Sequence, residues 1–257
     1  MSSVSHGRFA WHDLITTDMK AAEKFYTSLG WGVQPWPESP TPYDMWTIGN
    51  KRVGGVMTIP EGMRANGTPP HWLPYVRVRD VDVSTAQAIS LGGRVHRSAA
   101  DIPAVGRFAV VEDPGGGTIA LFTPQGDAAG TGDPQLGEFA WHEMGATNLE
   151  TVWDFYVELF EWERVSEFDM GAMGPYRMFG KGGERYGGMY RRADESKASP
   201  YWLSYVAVSD AGSFADIVTA NGGVVMTGPM DVPGGDRVVV FRDPQSAVCA
   251  AHQRRGG

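Results

Sequence analysis

Asp13 and Glu143 close two nearly identical runs, Gly7-Arg8-Phe9-Ala10-Trp11-His12-Asp13 and Gly137-Glu138-Phe139-Ala140-Trp141-His142-Glu143. On a β-strand successive side chains point to opposite faces, so Trp11 shares a face with Asp13, and Trp141 with Glu143. A carboxylate set in an aromatic wall is costly to ionise unless it is paired or its pKa is raised. A carboxyl group shifted toward neutrality is what general acid–base catalysis requires. Asp13 and Glu143 are therefore the candidate catalytic residues. Arg107 and Arg237, each opening a strand ahead of an Asp-Pro pair, are candidate partners for the acids; the alternative is that they pin surface loops.

The wall around each acid is read from the same alternation. Leu73 with Tyr75, and Leu203 with Tyr205, line an opposing strand, while Gly54, Gly55 and Ala120 leave room. Tyr43 and Tyr176 each follow a loop proline and are rim candidates; Met57, Met63, Met170 and Met173 could supply soft walls. The candidate ligand-binding set is Trp11, Tyr43, Leu73, Tyr75 and Arg107 in one copy, and Trp141, Tyr176, Leu203, Tyr205 and Arg237 in the other. An apolar wall with a few placed polar groups suits a small molecule. The same aromatics could instead fill a sheet interior. His12 and His142 fall on the face that packs beneath a helix, and read as buried neutral rings rather than metal ligands. His71 has Tyr201 as its counterpart, and no His/carboxylate triplet occurs in both copies.

These residues are positioned by a duplicated chain. Phe25-Tyr26 returns as Phe155-Tyr156, and Trp72-Leu73-x-Tyr75 as Trp202-Leu203-x-Tyr205. Gly92-Gly93 returns as Gly222-Gly223, and Asp113-Pro114 as Asp243-Pro244. A repeat of this length with insertions confined to loops denotes duplicated domains, here 1–125 and 137–257, joined by a linker over 126–136. Each copy has an inner repeat as well. A strand over 9–16 leads to an Asp18-capped helix over 19–29, with Ala22, Phe25, Tyr26 and Leu29 at helical spacing. Three short strands follow, near 31–34, 45–48 and 53–59. A strand over 73–78, an Asp80-capped helix over 81–91 and strands near 94–96, 108–112 and 118–122 repeat the order. The order βαβββ thus occurs four times. One such unit cannot close its own sheet, so pairs of units join into one curved sheet with helices outside.

The chain has 257 residues, a net charge of −8 and a hydrophobic content of 42%. That supports a packed core and argues against nucleic acid, which calls for a concentrated basic face. No apolar run approaches the length of a membrane helix, and the N-terminus lacks the regions of a signal peptide. The single Cys249 excludes an intrachain disulfide and a cysteine-based zinc cluster. A cytoplasmic protein is expected, either monomer or homodimer, with a small-molecule partner, no membrane and no nucleic acid.

The strand–Asp–helix ending in Phe-Tyr, its Asn148–Tyr156 copy, Gly92-Gly93 and Val110-Val111-Glu112-Asp113-Pro114-Gly115-Gly116 resemble the glyoxalase / bleomycin resistance / extradiol dioxygenase (vicinal oxygen chelate) superfamily. The whole pattern is similar to the tandem glyoxalase-like proteins of actinomycetes. The resemblance implies an α+β fold: four βαβββ units forming two glyoxalase-like domains with curved mixed sheets and outer helices. It also implies metal ligands (His, Gln or Glu) on the first and last strands of each unit. Those positions fall on Trp11, Leu73, Ala120 and the neighbourhood of Gly55, and in the second copy on Trp141, Leu203, Ala250 and the neighbourhood of Gly188. None offers a lone pair to a divalent ion. The expectation is therefore no metal and no cofactor, and a protein that binds or sequesters a hydrophobic or aromatic small molecule. The alternative is an enzyme, either a metal-free acid–base isomerase, lyase or hydrolase, or a divalent-metal lyase or dioxygenase. A third reading is an interaction protein whose cups are filled by its own side chains.

Overall fold

The computed structural model describes residues 6–126, 133–192 and 201–256. Its first module is β1 (Phe9–Thr16), α1 (Met19–Ser28), β2 (Gly32–Pro35), β3 (Tyr43–Ile48) and β4 (Lys51–Thr58), followed by a short helix α2 (Glu61–Ala65). The second is β5 (His71–Arg77), α3 (Val81–Ser90), β6 (Arg94–Ile102), β7 (Gly106–Glu112) and β8 (Thr118–Pro124). The third is β9 (Phe139–Ala146), α4 (Leu149–Phe160), β10 (Glu163–Asp169), β11 (Pro175–Lys181) and β12 (Glu184–Arg191), with a 3-10 turn at Gly171–Met173. The fourth is β13 (Trp202–Ala207), α5 (Ala211–Ala220), β14 (Val224–Asp231), β15 (Arg237–Arg242) and β16 (Val248–Gln253). The expected βαβββ order holds four times over.

The same local chemistry starts the helix of every module. The side chains of Asp18, Asp80, Asn148 and Asp210 accept the backbone N–H groups of Ala21, Val83, Thr151 and Ser213, donors that have no partner inside the helix. Apolar residues at 3/4 spacing then bury one face, Ala22, Phe25 and Tyr26 on α1 and seven residues from Leu149 to Phe160 on α4.

The strands form two open mixed sheets of eight, ordered β2-β3-β4-β1-β5-β8-β7-β6 and β10-β11-β12-β9-β13-β16-β15-β14. Within each, β1 runs parallel to β4 and β5 to β8, or β9 to β12 and β13 to β16. The sheets follow the order of the chain, but the cores do not. One compact unit takes residues up to Ala10, the stretch 74–131 and His142–Trp202; the other takes Trp11–Leu73, 132–141 and the remainder from Leu203. In the first unit Val76, Val111, Ile119 and Leu121 pack with Met144, Phe155, Tyr156 and Phe160. In the second, Leu14, Phe25, Tyr26 and Trp46 pack with Val206, Val218, Phe241 and Ala251. Each core therefore joins modules from different copies.

The linker expected over 126–136 lies mostly outside the described residues. No helix among those described is long and apolar enough to cross a membrane.

Candidate functional site

Strand β1 divides its side chains as the alternation requires. Leu14 is fully buried in the core, and His12 is buried with its ring stacked on Phe139 at 3.8 Å. Trp11 and Asp13 lie on the other face. Asp13 is only 4% exposed, and its Oδ1 accepts the Trp11 indole N–H at 2.9 Å and the Tyr43 hydroxyl at 2.6 Å. The same indole N–H also reaches the Tyr43 oxygen at 2.8 Å. Two donors on one carboxylate oxygen offset much of the cost of burying the charge. Register explains how Tyr43 arrives there: Asp13 lies opposite Gly55 on β4, and Tyr43 opposite Met57. A Cβ on Gly55 would overlap the Tyr43 ring and come within 2.7 Å of Asp13 Oδ1. Glycine at position 55 is thus what allows the phenol to cross β4. Trp36 meets Tyr43 edge-on at 5.6 Å and extends the aromatic surface.

The second copy repeats the plan with different chemistry. His142 is buried with its ring stacked on Phe9 at 3.5 Å, and its Nδ1 lies 3.2 Å from the Tyr186 carbonyl oxygen. Burial holds its pKa down at about 3, so it is neutral at physiological pH. Glu143 is half-buried on the opposite face, and its Oε1 accepts the Tyr176 hydroxyl at 2.7 Å. Tyr176 crosses Gly188, which lies opposite Glu143 just as Gly55 lies opposite Asp13. Tyr190 stacks on Tyr176, with centroids 6.3 Å apart and planes within 15°. Burial first, and then the Glu143 charge, push the Tyr190 phenol up to about 12.

The other expected site residues fall into separate groups. Trp141 packs with Leu203, Tyr205, Val238 and Val240. Tyr75 is buried against Phe108 at 6.1 Å and Phe122 at 6.4 Å, with the Arg97 guanidinium 4.8 Å above Phe108. Leu73 is buried on β5. The contacts of the arginines are those of the second role open to them. Arg107 holds Asp82 at 2.8 and 2.9 Å and Asp101 at 2.8 Å, while Arg237 lies 3.3 Å from Asp231. They pin exposed helix and strand ends, while the Trp11 indole and the Tyr43 and Tyr176 phenols are among the groups that donate to the acids. Sequence reasoning passed over Tyr190 because its counterpart, Met57, is chemically silent; the signal available was the Tyr-for-Met exchange between otherwise matching strands. Of the loop methionines, Met173 is the most exposed. An apolar cavity of about 310 Å³ lined by Tyr26, Trp31, Val206 and Phe241 lies on the helix side of β13, away from the face of Tyr205.

The positions that the resemblance assigns to metal ligands carry no lone pair for a divalent ion. Ala120 sits opposite Tyr75 and Ala250 opposite Tyr205, and the remaining ligand positions carry indole, leucine or glycine. Among the described residues no three His, Cys, Asp or Glu side chains gather.

Paired βαβββ modules with an acid and aromatic rings on one sheet face define a tandem protein of the glyoxalase fold. The family model for the Glyoxalase/Bleomycin resistance protein/Dioxygenase superfamily matches residues 139–247. Over 250 residues the chain is 33% identical to CFP32, a protein of Mycobacterium tuberculosis named as a glyoxylase; the match covers 96% of this chain and 95% of that one. It is 26% identical over 271 residues to the anthracycline biosynthesis protein DnrV of Streptomyces peucetius, covering 100% of this chain and 97% of that one. The chain belongs to the glyoxalase/bleomycin resistance protein/dioxygenase superfamily. A Mn(II)-bound glyoxalase from Novosphingobium aromaticivorans shares the fold with a TM-score of 0.64 at 14% identity, covering 98% of this chain and 83% of that one. An extradiol ring-cleaving dioxygenase from B. fuscum does so at 0.66 and 15% identity, covering 97% and 72%.

Proposed function

We propose that this protein binds a planar, largely apolar aromatic small molecule against the sheet face that carries Trp11, Asp13 and Tyr43, and holds it without a metal ion. The observation that carries this reading is the use made of Asp13. Its carboxylate fixes an indole and a phenol by hydrogen bonds of 2.9 and 2.6 Å, so that two rings are pre-oriented before any ligand arrives. Rigid aromatic surface of that kind gives contact area at little entropic cost. The positions that the family resemblance assigns to metal ligands carry groups with no lone pair for a divalent ion, which supports a metal-independent role. Likeness along the whole chain to an anthracycline biosynthesis protein supports a ligand of fused aromatic rings.

The test is a tryptophan-fluorescence titration of dialysed, chelator-treated protein with anthracene, anthraquinone and smaller aromatic acids. A saturable, stoichiometric change that survives chelator is expected for the fused rings, and Trp11→Ala should weaken it about tenfold. Absence of saturable binding across the panel, or binding only after Mn or Fe is added, would overturn the reading.

The second reading is a metal-free acid–base enzyme. Glu143, half-buried where Asp13 is buried, is the better placed acid to meet a substrate. Mass spectrometry of bound ligand separates the two: it is recovered unchanged from a binding protein, and converted by an enzyme whose turnover Glu143→Gln abolishes.

A further inference from the structure

Besides the exchange of Asp13 for Glu143, four matched positions differ between the two acid-bearing faces in ways that fit one another. The first copy has Ile15, Met57, Ile59 and His71; the second has Gly145, Tyr190, Arg192 and Tyr201 at the corresponding places. In the sheet Ile15 lies opposite Met57, and Gly145 opposite Tyr190, so the first two exchanges are direct cross-strand neighbours. A Cβ on Gly145 would come within 2.7 Å of both Cγ and Cδ of Arg192 and within 3.1 Å of the Tyr190 hydroxyl oxygen. Removing the isoleucine side chain is therefore what admits the arginine stem and the phenol together. Ile15 and Ile59 are buried, so the same place in the first copy is apolar.

We propose that Tyr190, Arg192 and Glu143 form an oxygen-recognising subsite, absent from the first copy, that selects fused aromatics bearing a phenolic hydroxyl beside a ring carbonyl. The proposal rests on the aromatic-binding reading above and deepens it for the second copy. Arg192 is a donor only, which suits a carbonyl or phenolate oxygen, and Glu143 is an acceptor, which suits the neighbouring hydroxyl. Tyr190 keeps its proton across the physiological range and so acts as a second donor. Tyr176, held on Glu143, and the Tyr190 ring stacked on it supply the flat surface beneath. Tyr201 contributes a further phenol at the margin, 44% exposed.

The experiment compares 1,8-dihydroxyanthraquinone, anthraquinone and anthracene on the full chain and on Tyr190→Phe and Arg192→Gln, each checked for an unaltered circular dichroism spectrum. The dihydroxy compound should bind at least about tenfold more tightly than anthracene, and each substitution should collapse most of that ratio of affinities. The conservative substitution Ile15→Val in the first copy should leave the preference intact. Equal affinity for the three compounds, or a preference that survives both second-copy substitutions, overturns the subsite while aromatic binding stands. Binding of none of the three overturns both readings.

Discussion

One methylene separates Asp13 from Glu143, and the shorter acid is the more deeply held. Asp13 is buried between an indole N–H and a phenol O–H, whereas Glu143 reaches Tyr176 from a half-buried position. Tyr43→Phe would leave the Asp13 carboxylate short of its closer donor. It should cost about 1–3 kcal/mol in a urea melt, against little for an exposed tyrosine. His142 yields a second expectation. Its pKa is about 3 in the fold and 6.5 as a free side chain, so the unfolded chain takes up a proton over that interval. The stability due to the neutral ring is complete above about pH 6.5 and is lost as pH falls toward 3, on the order of 5 kcal/mol in all. Imidazole nitrogen resonances of His142 should stay unmoved between pH 8 and 5; a midpoint near 6.5 would contradict the burial argument. Strand alternation makes the sharing of a face by Trp11 and Asp13 legible from the sequence, because it is a local rule. The partner of Arg107 was not legible, since Asp82 and Asp101 are brought to it by the β6–β7 pairing and the start of α3.

At the scale of elements, helix α4 stops in an unusual way. Its last turn is followed by Glu161 in the left-handed region, φ 55°, where a glycine is the common choice. The Glu161 carboxylate is held by Arg79 at 2.9 Å and Lys181 at 2.7 Å. Those hydrogen bonds, that from Arg79 first, pull its pKa from 4.5 to about 2. A depressed carboxylate contributes stability above its unfolded pKa and loses it on acidification. Glu161→Gln should therefore cost up to about 1 kcal/mol at pH 7, since the pair is exposed and screened, and the difference should fade between pH 4.5 and about 2. Thermal melts of both proteins at a series of pH values measure this. Helix caps and apolar spacing made the four long helices readable in advance. Helix α2 and the turn at Gly171–Met173 were not, because each occupies a stretch without apolar periodicity. Strand β6 runs to Ile102, well past the expected 96, because register shifts near Arg97 break the two-residue alternation by which a strand is recognised.

For the whole molecule, the repeated motifs serve a purpose that repetition alone could not reveal. Tyr26 donates to Asp243 and receives the Trp72 N–H; Tyr156 donates to Asp113 and receives the Trp202 N–H. Trp31 likewise donates to the Gly137 carbonyl, and Trp162 to that of Gly7. Every one of these tyrosine–aspartate and tryptophan–glycine bonds joins one copy to the other. With equal motifs in both copies, the sequence leaves Tyr26–Asp113 and Tyr26–Asp243 equivalent, so only the folded structure distinguishes them. Residues 1–125 produced alone should therefore fail to give a soluble monomer with a cooperative transition. Co-expression with 137–257 should restore a one-to-one complex, as gel filtration and calorimetry would register. Independent, monomeric melting of either half would contradict the interleaved cores. The arrangement is that of two like chains clasping one another, rewritten as a single polypeptide. In a symmetric pair of identical chains every mutation appears twice, and each sheet face must change in step with its twin. A single polypeptide carries no such constraint: with Ile15 in one copy and Gly145 in the other, one acid-bearing face is apolar where its counterpart carries an arginine and a phenol.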